Sequence, residues 1–137
     1  MKVLFDTNIV VDVITKRQPF YDKSRQLFYM AAKKEIIGII SASSITDIYY
    51  LTKKSFSNSE QAQEAIYDLL KVLCAVDTKA EDVHSALNLR FSDFEDAVIS
   101  AIATRELADF VLTRNDKDFS ASFVKAISPS DLLRLLS

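Results

Sequence analysis

The segment VLFDTNIVVDV, Val3 to Val13, runs from an apolar stretch through an aspartate into a second apolar stretch. KVLF, Lys2–Phe5, has the length and composition of a buried strand, and TNIVVDVITK, Thr7–Lys16, carries its apolar residues at helical spacing. Asp6 stands at the junction, where a charge is costly unless something compensates it. No lysine partner is obvious nearby. The side chain can cap a helix starting at Thr7, or it can be one member of a polar group gathered from distant parts of the chain. Asp12, inside the helix, reads as a surface or structural residue lying away from the strand end.

A strand followed directly by a helix sets a pattern that the rest of the chain repeats. Pro19 marks the break to a second helix, FYDKSRQLFYMAAKK, with Phe20, Leu27, Phe28 and Ala31 on one side. EIIGIIS reads as a buried strand, and SSITDIYYLTKKS as a helix capped by Ser43 or Ser44. Asn58 or Ser59 opens the helix EQAQEAIYDLLKV. VLCAV is a third strand, and Thr78 begins a helix that contains His84. SDFEDAVISAIATREL is a long helix with Ser92 as its N-cap. DFVLT is a fourth strand, VKAIS a candidate fifth, and SPSDLLRLLS a closing helix. Strands alternating with helices predict an α/β fold, a three-layer sandwich whose central parallel sheet is covered by helices on both faces. Neither a repeat nor a Pro/Gly-rich linker interrupts the pattern, so residues 1–137 read as a single domain.

Composition narrows the chemistry. With 49% hydrophobic and 26% charged residues the chain can build a core and a polar surface. Its one glycine, Gly38, rules out a dinucleotide fingerprint, a P-loop and a nucleophile elbow. The one histidine, His84, reads as a surface helix residue without a nucleophile to serve. Cys74, the one cysteine, lies in an apolar run and reads as buried packing in a reducing cytoplasm. Zinc sites of the usual Cys/His type are therefore excluded. No membrane helix or secretory signal is evident. The net charge of −2 argues against a non-specific duplex binder, but clustered acids that hold cations are compatible with a nuclease.

Carboxylates remain. Asp6 falls at the carboxyl end of the first strand and Asp47 in the first turn of the helix after the second. Asp93 and Asp96 share a face at the start of the helix leading to the fourth strand. Asn115, Asp116 and Asp118 follow that strand. In a parallel sheet several of these positions meet at one edge. Taken singly, each has a structural reading: helix-dipole acids, the capping boxes SDFE and SITD, and a turn at TRND. Taken together, they suit a bound Mg²⁺ or Mn²⁺, which relieves the repulsion between carboxylates and accepts water and phosphate oxygens as further ligands.

Four segments resemble the PIN-domain ribonucleases, including the VapC-like toxins of bacterial toxin–antitoxin pairs. LFDTNIVVDVI is similar to the family's opening strand-Asp-Thr/Ser-Asn motif, ISASSITDIYYL to its second acidic segment, DFEDAVISAIA to its third, and FVLTRNDKDF to its Thr-x-Asp/Asn segment. The resemblance implies a metal-dependent endoribonuclease in which Asp6 and Asp96 hold Mg²⁺ or Mn²⁺ and Asp93 assists. Thr7 and Asn8 support Asp6, and Asp47 orients or deprotonates the attacking water. Thr113 and Asn115 match the last motif, with Asp116 and Asp118 as further acids. Asp47 replaces the family's usual glutamate, and Asn115 stands where many members carry aspartate. Arg114 and Lys117 are candidates for the RNA backbone, whereas Lys53 and Lys54 read as a solvated helix end. The resemblance also implies a homodimer and a small antitoxin that blocks the acidic edge. Two other classes stay open at this level: a PIN-like module that binds RNA or protein without cleavage, and a metal-dependent phosphatase or receiver-like domain. A housekeeping processing nuclease is the alternative to a toxin.

Overall fold

The computed structural model describes residues 1–137. Its five strands form one parallel sheet: β1 (Lys2–Phe5), β2 (Ile37–Ser41), β3 (Cys74–Val76), β4 (Phe110–Leu112) and β5 (Ala126–Ile127), in the order β3-β2-β1-β4-β5. Seven helices connect and cover them: α1 (Thr7–Ile14), α2 (Tyr21–Ala32), α3 (Ala42–Phe56), α4 (Ser59–Val72), α5 (Ala80–Ala86), α6 (Phe94–Arg105) and α7 (Pro129–Leu136). A short 3₁₀ turn, Asp116–Phe119, follows β4. The expected α/β sandwich is the observed one, with all five strands present.

The two faces of the sheet sort by the period of two in a strand. Val3 and Phe5 of β1 face one core, where they meet Ile9 and Val10 of α1, Leu27 and Ala31 of α2, Ile48 of α3, Leu69 of α4 and Leu132 of α7. Leu4 faces the other, with Ile99, Ile102 and Ala103 of α6, Val111 of β4 and Phe119. Each of these large apolar side chains contributes roughly 1.5–3 kcal/mol when fully buried. Gly38, in β2, is needed for close approach: a Cβ there would overlap the Leu73 side chain and press on Ala31 at 3.2 Å and Phe5 at 3.3 Å.

Local details depart from expectation at three helix starts. Ser41, the last residue of β2, caps α3 by accepting from the Ser44 amide at 3.2 Å, so neither Ser43 nor Ser44 is the cap. Asp93 rather than Ser92 caps α6, and Lys79 rather than Thr78 precedes α5. Thr78 instead donates to the Ser43 hydroxyl at 2.8 Å. Asn58 caps α4 as expected, accepting from the amides of Glu60 and Gln61. Cys74 is exposed, because β3 is an edge strand whose apolar residues are only partly covered. His84 is exposed on α5, as its helix pattern implied.

Candidate active site

The strand order reverses between β1 and β4, since β2 and β3 lie on one side of β1 and β4 and β5 on the other. In open parallel sheets the crevice beyond the carboxyl ends of the strands at that reversal is where ligands bind. Asp6 directly follows β1 and Thr113 directly follows β4. The two strand ends are tied by a backbone bond from Asp6 to the Leu112 carbonyl at 2.9 Å and by the Thr113 hydroxyl, which donates to Asp6 Oδ2 at 2.8 Å.

Asp6 therefore has two jobs. Its Oδ1 accepts from the Thr7 amide at 2.8 Å and caps α1. Its Oδ2 takes the Thr113 hydroxyl and a long contact from Asn8 Nδ2 at 3.5 Å. Asn8 also donates to Thr113 Oγ1 at 3.3 Å and accepts from the Arg114 amide at 3.3 Å. This web orients the carboxylate: Oδ2 is committed to Thr113 and, at longer range, Asn8, and Oδ1 keeps acceptor capacity. Burial raises the Asp6 pKa. The Thr113 and Thr7 hydrogen bonds pull it back, and the Asp93 charge adds to the rise.

Around Asp6 opens a cleft of about 270 Å³ lined by Asn8, Asp12, Arg17, Asp93, Glu95, Asp96, Arg114 and Asn115, among others. Asp93 Oδ1 accepts from the Asp96 amide at 3.1 Å, which caps α6 and leaves Oδ2 without a protein donor. Asp96 is half-buried, and its pKa is pushed up to about 7, first by burial and then by the charges of Asp6, Asp93, Asp118 and Glu95. Glu95 is raised by burial and by its neighbour Asp47. Four carboxylates thus disfavour one another's ionised forms around Asp96, with no chain cation paired among them.

That donor set fits a hard divalent cation, which takes oxygen ligands and cancels such repulsion. No three His, Cys, Asp or Glu side chains converge tightly enough to enclose an ion. Water and substrate oxygens would complete the coordination, as Mg²⁺-type sites allow.

The structure brings most of the expected residues together, but not all. Asp6, Asn8, Asp93, Asp96, Arg114 and Asn115 line the cleft, and Thr113 supports it from below. Asp118 acts on Asp96 from the 3₁₀ turn, whereas Asp116 and Lys117 lie outside the lining. Asp47 lies in the second turn of α3 rather than the first, because α3 begins earlier than expected. It is exposed and meets the site through Glu95. Lys53 and Lys54 occupy the last turn of α3, apart from the cleft. Asp12 is the clearest correction. It is fully buried and pairs with Arg114, Nε to Oδ2 at 2.7 Å, at the edge of the cleft and not away from it. Glu95 and Arg17 are cleft residues that sequence reading did not single out. Glu95 was masked by its fit to a capping box, and Asp12 was detectable as the one charge on an otherwise apolar helix.

A parallel α/β sheet whose strand-order reversal opens onto a cleft rich in carboxylates defines the class. Within it, the PIN domain family model matches residues 2–117, and the chain belongs to that family. The chain is 24% identical over 135 residues to "Ribonuclease VapC1" of Aquifex aeolicus, covering 95% of this chain and 92% of that protein. Among solved structures it is similar to VapBC2 of Rickettsia felis bound to a promoter DNA fragment, with TM-score 0.74 and 25% identity over 93% of this chain and 98% of that one. The fold is shared with DNA-bound VapBC of Salmonella typhimurium at TM-score 0.72 and 18% identity, covering 94% of this chain and 98% of that one. No helix is long and apolar enough to cross a membrane.

Proposed function

We propose that the chain is a divalent-cation-dependent endoribonuclease and the toxin of a toxin–antitoxin pair, working in the cytoplasm as a homodimer with a small antitoxin as its partner. The observation that carries the chemistry is the meeting of Asp6 with Asp93, Glu95 and Asp96 at the strand-order reversal, where mutual repulsion calls for a cation. The ribonuclease name of the Aquifex aeolicus relative supports RNA as substrate, and the VapBC assembly of Rickettsia felis supports the antitoxin. Residues 1–137 act as one domain in this reading, because β5 pairs with β4 and Leu132 of α7 completes the core.

Mg²⁺ or Mn²⁺ held by Asp6 and Asp96, with Asp93 beside them, would supply charge stabilisation for the phosphodiester and a more acidic attacking water. The chain's own residues do the rest. Thr113, Thr7 and Asn8 keep the Asp6 carboxylate in one orientation. Glu95, with Asp47 beside it, is placed to orient the water and take its proton, a task suited to a carboxylate whose basicity is raised by burial and by the acids around it. Arg114 and Lys117 serve the RNA backbone in this reading, Arg114 from the cleft wall and Lys117 from the neighbouring turn.

The test is cleavage of structured RNAs with Mn²⁺, Mg²⁺ or chelator. Asp96→Asn, folded as judged by circular dichroism, is expected to cleave on the order of 10³-fold more slowly, the scale of losing one preorganised electrostatic group. Wild-type cleavage that persists in chelator, or an unaffected Asp96→Asn protein, would sink the assignment.

A further inference from the structure

A second cleft, of about 350 Å³, lies on the other side of Arg114. It is lined by Phe20, Lys23, Arg114, Ser128 and Ser130 with two prolines, and no carboxylate borders it. The acidic cleft and this one share Arg114 as their common wall. The guanidinium is fixed there from two sides: Asp12 pairs with it at 2.7 Å, and it lies 4.2 Å from the Phe20 ring centroid. Lys23 reaches from α2 to α7 and donates to Ser130 Oγ at 2.9 Å. Lys23 forms no ion pair, so its charge is available to a ligand.

We propose that this cleft binds the RNA phosphate next to the one being cleaved, a reading that rests on the nuclease assignment of the acidic cleft. A strand whose scissile phosphate sits among carboxylates must carry its neighbouring phosphate somewhere. The cleft across Arg114 is cationic, with Lys23 and Arg114 in its lining and no acid. Lys23 supplies the unpaired charge, the Ser128 and Ser130 hydroxyls supply short polar contacts, and Arg114, held flat by Phe20 and Asp12, offers donors toward both clefts. Buried Asp12 is then a positioning residue that aims Arg114, and Lys23 is the group that a second phosphate meets.

The experiment measures binding of labelled single-stranded RNA to the full chain in chelator, as a function of salt, beside wild-type cleavage in Mn²⁺. Each phosphate neutralised on a single strand contributes about 0.7 to the slope of log affinity against log salt. Lys23→Gln is expected to bind roughly 3- to 10-fold more weakly and to lose about that much slope. Ser130→Asp, which puts an acid where a helix start tolerates it, is expected to lose at least as much affinity with an unchanged melting temperature. Lys71→Gln, in the last turn of α4 and outside the lining of both clefts, serves as the control with wild-type values. Wild-type affinity and slope in both Lys23→Gln and Ser130→Asp, with wild-type cleavage intact, overturn the cleft and leave the nuclease reading standing. Lost slope in a protein that never cleaves overturns the nuclease reading and, with it, the assignment of the bound phosphate as neighbour to a scissile one. A loss confined to 5′-phosphorylated oligomers assigns the cleft to a terminal phosphate and overturns the adjacent-phosphodiester assignment.

Discussion

Asp82 and Asp96 occupy the same position, third in their helices, and each follows a glutamate: AEDV opens α5 and FEDAV opens α6. The two helices pack on each other. Yet the carboxyls are treated in opposite ways. Asp82 is buried, which by itself would raise its pKa. Hydrogen bonds from Arg105 at 2.9 and 3.0 Å and from the Lys79 amide at 2.8 Å outweigh the burial and leave it lowered. Asp96 has no cation partner, and burial, then the charges of the acids around it, push its pKa up to about 7. The fold supplies its own cation where an acid is structural. At the strand-order reversal it leaves the acids in need of one from outside, which is how an acidic site differs from an acidic surface.

The largest effect should come from taking away the internal cation. Arg105→Ala leaves Asp82, 2% exposed, without its partner, and a buried charge left unpaired in this way costs about 3 kcal/mol. Urea unfolding should show that loss as a lower midpoint at constant slope. A change below about 0.5 kcal/mol, the ordinary range for surface substitutions, would mean that the bracket holds nothing.

Supplying the external cation should move stability the other way. Mg²⁺ or Mn²⁺ at 100 times its Kd would add about 2.7 kcal/mol, read as a rise in melting temperature over the protein in chelator. Asp6→Asn and Asp96→Asn should lose most of that rise. In chelator, Asp96→Asn should melt no lower than the wild type, because it removes a repelled charge, whereas Asp82→Asn should melt lower. Equal behaviour of the two asparagine variants would erase the contrast.

The smallest effect is on the acid limb. Asp82 has a folded-state pKa below its ordinary value of 3.8. Its contribution is therefore present above that value and fades as pH falls through the lowered folded value. Wild-type stability should drop below about pH 4 more steeply than that of Asp82→Asn. Parallel curves from denaturant melts between pH 2 and 5 would count against the pairing.

Much of this was legible in the chain. The strand–helix alternation fixed on KVLF and TNIVVDV carried through to all five strands, because continuous apolar runs and helical spacing are local signals. The positions of Asp6, Asp93 and Asp96 at element ends were local too. The cap of α3 falls at Ser41, two to three residues before the expected serines, since it is decided by where β2 stops, and strand ends are set by pairing with other strands; that of α6 falls one residue on, at Asp93, within the ordinary spread of helix boundaries. Glu95 hid behind a capping-box pattern that the structure does not use, because Asp93 already serves the helix end.

The sequence by itself determined an α/β chain with carboxylates at strand and helix ends and nothing else able to do chemistry. It also contained the motifs of a PIN domain. Only the tertiary structure decided which acid is paired and which is exposed to its neighbours. It made Asp12, read as a surface or structural residue away from the strand end, the buried anchor of Arg114 at the cleft, put Glu95 between Asp47 and the cleft, and separated Asp82 from Asp96. The reason is electrostatic. A carboxyl's state depends on charges within a few ångströms and on how much water is excluded, and residues such as Asp12 and Arg114, 102 positions apart, become neighbours only when the sheet is assembled.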